Sequence, residues 1–192
     1  MQVRTVAVVG AGIRGRRIAQ LAALGGYRTI LEDLLPNALR RAQEEIRTHL
    51  DRSVDRGEVS TTEADAAFGR LEYAGSVEDA AREADLVIEA VPDELESKLE
   101  IFTLLDKICR PHTILASNTS SLSITEIARV TYRAAKCVGM RFADPDQKTR
   151  RLEVVRALET DKDTVTVALE VAKRMVGEAV LVEDRPAPRP AA

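Results

Sequence analysis

Cysteine is scarce in this chain: Cys109 and Cys137 are the only two among 192 residues, and both sit in apolar surroundings. They make neither a disulfide framework nor a metal-ligand spacing, and they fit buried thiols in a reducing compartment. No metal is expected. A basic surplus is missing as well. The formal charge is -3, which argues against generic nucleic-acid binding, because that requires a basic face. No apolar run approaches the roughly 20 residues of a membrane span, so no membrane partner is expected. The N-terminus enters a strand-like run directly, without a signal-peptide pattern, and no internal repeat is visible. These absences lead to the expectation of a soluble, cytoplasmic protein. The rest is ordinary globular composition, 45% hydrophobic and 31% charged, sufficient for a core. The length suits one domain with at most a small appendage.

The chain is organised around Val6-Ala7-Val8-Val9-Gly10-Ala11-Gly12-Ile13-Arg14-Gly15. Four apolar residues, three of them β-branched, predict a strand buried on both faces of a parallel sheet. Apolar residues then recur with helical spacing at Ile13, Ile18, Leu21 and Leu24. Strand, Gly-x-Gly-x-x-Gly and helix form the dinucleotide-binding arrangement. Gly10 makes the tight turn, Gly12 lets backbone approach a pyrophosphate, and Gly15 lets helix and strand lie close. The helix N-terminus, with Ile13 and Arg14 in its opening turn, offers N–H groups and a partial positive charge to phosphates. Gly25-Gly26 closes the helix, a second strand runs from Tyr27 to Glu32, and Asp33 follows. That carboxylate lies roughly 20 residues past the glycines, where an acid binds a ribose 2′-OH; it favours NAD over NADP. Arg14, Arg16 and Arg17 oppose the helix dipole; they either favour phosphate or face solvent.

Pro36 marks a helix start, and a long helix from Asn37 to about Val54 carries Leu39, Ala42, Ile46, Leu50 and Val54 on one face. Gly57 ends it, and a second helix follows through Phe68, capped by Thr61 or Ser60. This helical hairpin, about 36–70, is longer than a crossover needs; scaffold and ligand cover are both open readings. Strand signals follow at Leu71–Ala74, Asp85–Val91, His112–Ala116, Cys137–Met140, Leu152–Val155 and Ala179–Val182. Helices are expected over Ser76–Ala81, Glu94–Ile108, Ile124–Val130 and Thr164–Met175. Leu95, Leu99, Phe102, Leu105 and Ile108 should point inward. The polar cluster Ser117-Asn118-Thr119-Ser120-Ser121 falls at the carboxyl edge, where open α/β sheets bind ligands. The expected fold class is α/β, a Rossmann-type, doubly wound, mostly parallel sheet with an inserted helical hairpin. The domain should span 1–184. The Pro-rich tail, 185–192, should be disordered.

Several of these stretches together resemble the NAD-binding domain of L-3-hydroxyacyl-CoA dehydrogenases. They are Val8–Gly12, Asp85–Pro92, Leu115–Ile124, Val138–Phe142 and Leu152–Arg156. The hairpin also resembles that family's, where it helps hold coenzyme A. The resemblance implies an oxidoreductase of acyl thioester (fatty acid) metabolism that transfers a hydride between a 3-hydroxyacyl thioester and NAD. A histidine there takes the 3-hydroxyl proton while a glutamate orients it, because the base needs a pKa near working pH and one fixed orientation. Carried over by position, the glutamate falls on Glu153, and the serine and asparagine near substrate and nicotinamide fall on Ser120 and Asn118. An acidic position near the cofactor falls on Asp93, and the nucleotide contacts fall on Gly10, Gly12, Gly15 and Asp33.

The histidine position is Arg141. A guanidinium stays protonated and cannot serve as a general base; it is expected to pair with Glu153 and lock that carboxylate. His112 begins its strand, roughly 17 Å from the carboxyl edge, and His49 lies on the hairpin, so neither substitutes. Where the family has Asn-Pro and apolar residues, this chain has Asp144-Pro145-Asp146-Gln147-Lys148-Thr149. Charges beside a fatty tail would be desolvated without partners, so a short or polar acyl group is favoured. Lys148, Arg150 and Arg151 either contact a phosphopantetheine phosphate or an acidic carrier protein, or form a solvated edge. Relatives continue into a helical domain that forms one wall of the cleft and makes dimer contacts; here Arg185-Pro186-Ala187-Pro188 follows. A separate helical chain or a homodimer is therefore the expected partner. Three readings stand: an NAD-dependent dehydrogenase, an NAD-binding module or subunit without chemistry, and a remnant without selected activity.

Overall fold

A computed structural model describes residues 1–143 and 151–184. The expectations placed on Asp144–Thr149, Lys148, Arg150 and the 185–192 tail lie outside the described residues. The first strand, β1 (Thr5–Val9), is buried along its whole length, as its unbroken apolar run requires. It leads into α1 (Ile13–Leu24), β2 (Arg28–Glu32), α2 (Pro36–Asp55), α3 (Thr61–Phe68) and β3 (Leu71–Ala74). Then come α4 (Val77–Ala81), β4 (Leu86–Glu89), α5 (Leu95–Ile108), β5 (Ile114–Ser117) and α6 (Ile124–Ala128). The sheet is completed by β6 (Cys137–Phe142) and β7 (Arg151–Arg156), then α7 (Lys162–Val176) and β8 (Glu178–Glu183).

These strands form one eight-stranded sheet in the order β3-β2-β1-β4-β5-β6-β7-β8. Every pairing is parallel except β6 with β7. The order reverses at β1, between β2 and β4, which opens a crevice at the carboxyl edge as in doubly wound folds. One core lies where α1, the α2–α3 hairpin and α7 cover the sheet; the other lies under α4, α5 and α6. Ala19, Ala22 and Ala23 bring α1 close to the sheet, and all three are fully buried. The hairpin adds Ala42, Ile46 and Leu50 to the same core. It begins with Pro36 in the first turn, and Ser60 caps α3 in a reciprocal box with Glu63.

Register places Ala74, Glu32, Val9, Glu89, Ser117 and Gly139 in one row across the carboxyl edge. Two glutamates thus flank the last residue of β1. Both are buried, although residue type alone places carboxylates at the surface. Several boundaries differ from the sequence reading. The β4 strand stops at Glu89 rather than Val91, because Val91 N–H turns to donate to the Glu89 carboxylate at 2.8 Å. His112 precedes β5, which starts at Ile114. In α5 the fully buried positions are Lys98, Phe102 and Leu105, while Leu95, Leu99 and Ile108 are partly covered.

Candidate functional site

The turn after β1 has three glycines in three different situations. Gly10 has φ of +99°, a conformation L side chains rarely adopt, and an added Cβ would lie 3.1 Å from the Ala90 carbonyl oxygen. At Gly15 an added Cβ would come within 1.7 Å of the Gly10 carbonyl oxygen, so only hydrogen fits. At Gly12 nothing lies within 4 Å. That open side is a cradle for a ligand to approach the backbone. Gly12 is also the N-cap of α1; no side chain caps this end and no acid occupies its first turn. The partial positive charge and the N–H groups of the helix end are thus available to phosphate. Ile13 is 68% exposed beside this opening. Among the arginines of α1, Arg16 pairs with Glu45 of the hairpin, and Arg17 donates to the Ala143 carbonyl at 2.8 Å.

Asp33 fastens this turn. One carboxylate oxygen accepts from Ala11 N–H and the other from Leu35 N–H, each at 2.9 Å. Beside it, the Glu32 main-chain carbonyl accepts from Gly10 N–H at 2.9 Å. The Glu32 side chain points into the protein, and its Oε1 is buried without a partner among the described residues. Burial, then the charge of Asp33, pushes its carboxyl up to about 7, against a smaller pull from Gly10 N–H.

On the other side of β1, Glu89 accepts hydrogen bonds from the Lys98 ammonium and Ser117 hydroxyl at 2.7 Å each, and from Val91 N–H. Burial raises the Glu89 carboxyl above its ordinary value, against the pull of these three donors. Lys98 is itself wholly buried and also reaches the Val91 carbonyl (3.4 Å) and Asp93 (3.6 Å). Asp93 accepts from the Ser121 hydroxyl at 2.9 Å. Burial alone would raise the Asp93 carboxyl, but hydrogen bonds from Thr119 and Ser121 and the Lys98 charge hold it below the usual range. One buried lysine of α5 therefore holds the end of β4 and the loop after it, and Asp93 joins that loop to the loop after β5 through Ser121. Sequence reasoning missed both Lys98 and Glu32. The signal for Lys98 was present, since it shares the helical stripe with Phe102 and Leu105.

At the end of β5, Asn118 is nearly buried, and its side-chain oxygen accepts from Phe142 N–H at 3.4 Å. Ser120 is exposed. On β6, Arg141 donates from Nε to the Thr119 carbonyl at 2.9 Å. Register sets Arg141 directly opposite Glu153 of β7, yet these two form no ion pair among the described residues. The expected lock is therefore corrected. The guanidinium finds its acceptor on the loop after β5. Glu153, with its side chain 37% exposed, lies 3.8 Å from Arg151, two residues back on its own strand. His112 lies at the opposite edge, 3.6 Å from Asp85.

A groove of about 1210 Å³ runs over α1 between the hairpin and β7. Arg52, Arg56, Arg70 and Arg151 lend it positive charge, and Leu21 and Met175 line it with apolar surface. His49 lies here as well. The hairpin is therefore both scaffold, through Ile46 and Leu50, and wall, through its basic residues. Among the described residues no cluster of three metal-ligating side chains occurs, and no helix is long and apolar enough to cross a membrane.

Comparison with known proteins agrees with this geometry. The family described as 3-hydroxyacyl-CoA dehydrogenase, NAD binding domain, matches residues 5–185. A probable 3-hydroxybutyryl-CoA dehydrogenase of Bacillus subtilis is 39% identical over 97% of this chain and 64% of its own length. The crystal structure of 3-hydroxybutyryl-CoA dehydrogenase from Escherichia coli superposes with a TM-score of 0.91 at 34% identity, over 97% of this chain and 39% of that one. The (S)-3-hydroxybutyryl-CoA dehydrogenase of Ralstonia eutropha gives 0.90 at 31% identity, over 96% and 65%. This chain thus spans under two thirds of the length of each of these relatives.

Proposed function

The chain belongs to the 3-hydroxyacyl-CoA dehydrogenase family through its NAD-binding domain, and from that membership we propose that it holds NAD and a short 3-hydroxyacyl thioester without a proton acceptor of its own. The cradle fits the cofactor: open space at Gly12, an uncapped helix end, and backbone forced close at Gly10 and Gly15. Gly12, Ile13 and Arg14 would face the pyrophosphate, with Gly10 and Gly15 shaping the turn that presents them. Asp33 would face the adenosine ribose, and Asp93 the second ribose. Bound NAD would supply a hydride acceptor for C3 of the thioester. Asn118 and Ser120 would stand at the reacting end, and the basic groove suits the phosphates of coenzyme A or of a carrier protein's phosphopantetheine.

The observation that supports this reading is the Arg141 guanidinium held by the Thr119 carbonyl, at the position that by resemblance corresponds to the family's proton acceptor. A guanidinium donates hydrogen bonds and does not take a proton. It can steady an oxyanion at C3, but the 3-hydroxyl proton must leave by another route. Glu153 does not replace it, being half-exposed and turned toward Arg151. The test joins NADH titration by fluorescence to an assay of 3-hydroxybutyryl-CoA oxidation. The expected outcome is saturable NADH binding in both the natural chain and Arg141→His, with oxidation detectable only in Arg141→His. Failure to bind NADH would refute the cofactor half. Natural turnover matching the variant would refute the half that rests on Arg141.

A further inference from the structure

Glu32 has no role in the reading above, yet it is the most awkwardly placed carboxyl near the nucleotide turn. It is 2% exposed, and its Oε1 is buried without a hydrogen-bond partner among the described residues. It is coupled to the turn through its own backbone, whose carbonyl accepts from Gly10 N–H, and it precedes Asp33, which holds Ala11 N–H. Among the described residues, the elements around it supply no cation to its carboxyl. From β1 its neighbour is Val9, and from β3 it is Ala74, with Tyr73 packed into the opposite core. The α4 helix contributes Val77 to the core on this side. Its acids are engaged at the surface, Glu78 with Arg82 and Asp79 with Ser76. Beyond Val9 the Lys98 charge is taken by Glu89. Asp33 is left as the charge that acts on Glu32, and it is of the same sign.

We propose that Glu32 is a proton-carrying positioning residue of the nucleotide turn: the dinucleotide is held by the form in which Glu32 is neutral, and ionisation of Glu32 releases it. This rests on the NAD reading above. An ionised Glu32 keeps a buried Oε1 without a partner among the described residues, with Gly10 N–H as the one backbone group that favours its charge. It stands beside Asp33 under a turn that must accept a pyrophosphate, so two like charges would meet two more. The neutral carboxyl imposes no such cost. Burial and Asp33 place the transition at about pH 7, so affinity responds across the physiological range.

The test is NADH affinity of the natural chain and of Glu32→Gln from pH 6 to 8.5, with urea unfolding to verify that the variant is folded. If binding requires the proton, Kd of the natural chain rises toward tenfold per pH unit above pH 7, about thirtyfold across the range. The variant, permanently neutral, stays flat within about twofold. Calorimetry of the natural chain at pH 8 in buffers of different ionisation enthalpy provides a readout without any variant. The expected result is uptake of nearly one proton per NADH bound. A flat natural profile, an equal slope in the variant, or no proton uptake would overturn the proposal and leave the NAD reading standing. Absence of NADH binding at every pH would overturn both.

Discussion

The two halves of the carboxyl edge are built to different standards. Around β1, β2 and β4 nearly every polar group is fastened: Asp33 by two backbone N–H groups, Glu89 by three donors, Asp93 by Ser121 and Lys98. Around β6 and β7 the equivalent pair is slack. Arg141 and Glu153 face each other across antiparallel strands without joining, one held by a carbonyl and the other half in water. Holding a nucleotide requires rigid backbone donors and close approach, and that half retains them. Removing a proton requires a titrating group held in one orientation, and among the described residues of that half Glu153 is not so held. On the proposed reading, a family's binding scaffold persists here while the chemistry beside it changes.

Four substitutions break or sharpen this contrast. Lys98→Met should have the largest effect, because it leaves Glu89 buried without its cation. A loss of about 3–5 kcal/mol in urea unfolding is expected, and adding Glu89→Gln should recover most of it. Glu32→Gln comes next and has the opposite sign. The Glu32 carboxyl binds its proton more tightly folded (about 7) than unfolded (4.5), so its favourable contribution is complete below pH 4.5 and is lost as pH rises through 7. The variant should be more stable than the natural chain by about 3 kcal/mol at pH 8, with no difference at pH 4. Gly15→Ala drives a methyl into the Gly10 carbonyl. It should cost about 1–3 kcal/mol and weaken NADH at least about tenfold, measured by thermal melting and fluorescence. In the slack half, Glu153→Gln should alter stability by less than about 0.5 kcal/mol. A larger loss there would mean that Glu153 is held after all.

The nucleotide turn was legible in the sequence because its physics is local. An apolar strand, three glycines at fixed spacing and an acid about 20 residues on each have a backbone reason, and the structure brings Gly10, Gly12, Gly15 and Asp33 together. The order of strands and helices was legible for the same reason, and the hairpin's Ile46 and Leu50 face inward as their spacing requires. The buried charges were not. Residue type alone would place Lys98 and Glu32 at the surface, and neither was singled out from the sequence. The helical stripe of Phe102 and Leu105 carried the signal for Lys98, whereas the register that sets Glu32, Val9 and Glu89 side by side is what reveals the two glutamates as a row under the ligand edge. Arg141 and Glu153 erred in the opposite direction. Their complementary charges and adjacency suggested a pair, but side-chain reach to the Thr119 carbonyl decided the outcome.

The most direct test of the account follows NADH formation from 3-hydroxybutyryl-CoA by the natural chain from pH 6 to 9, at NAD concentrations shown to saturate it. The account predicts no rate above the protein-free blank at any pH, with the cofactor bound throughout the lower half of that range. A rate that climbs with pH as a single base titrates would contradict it, because the chain would then possess a proton acceptor that Arg141 cannot be.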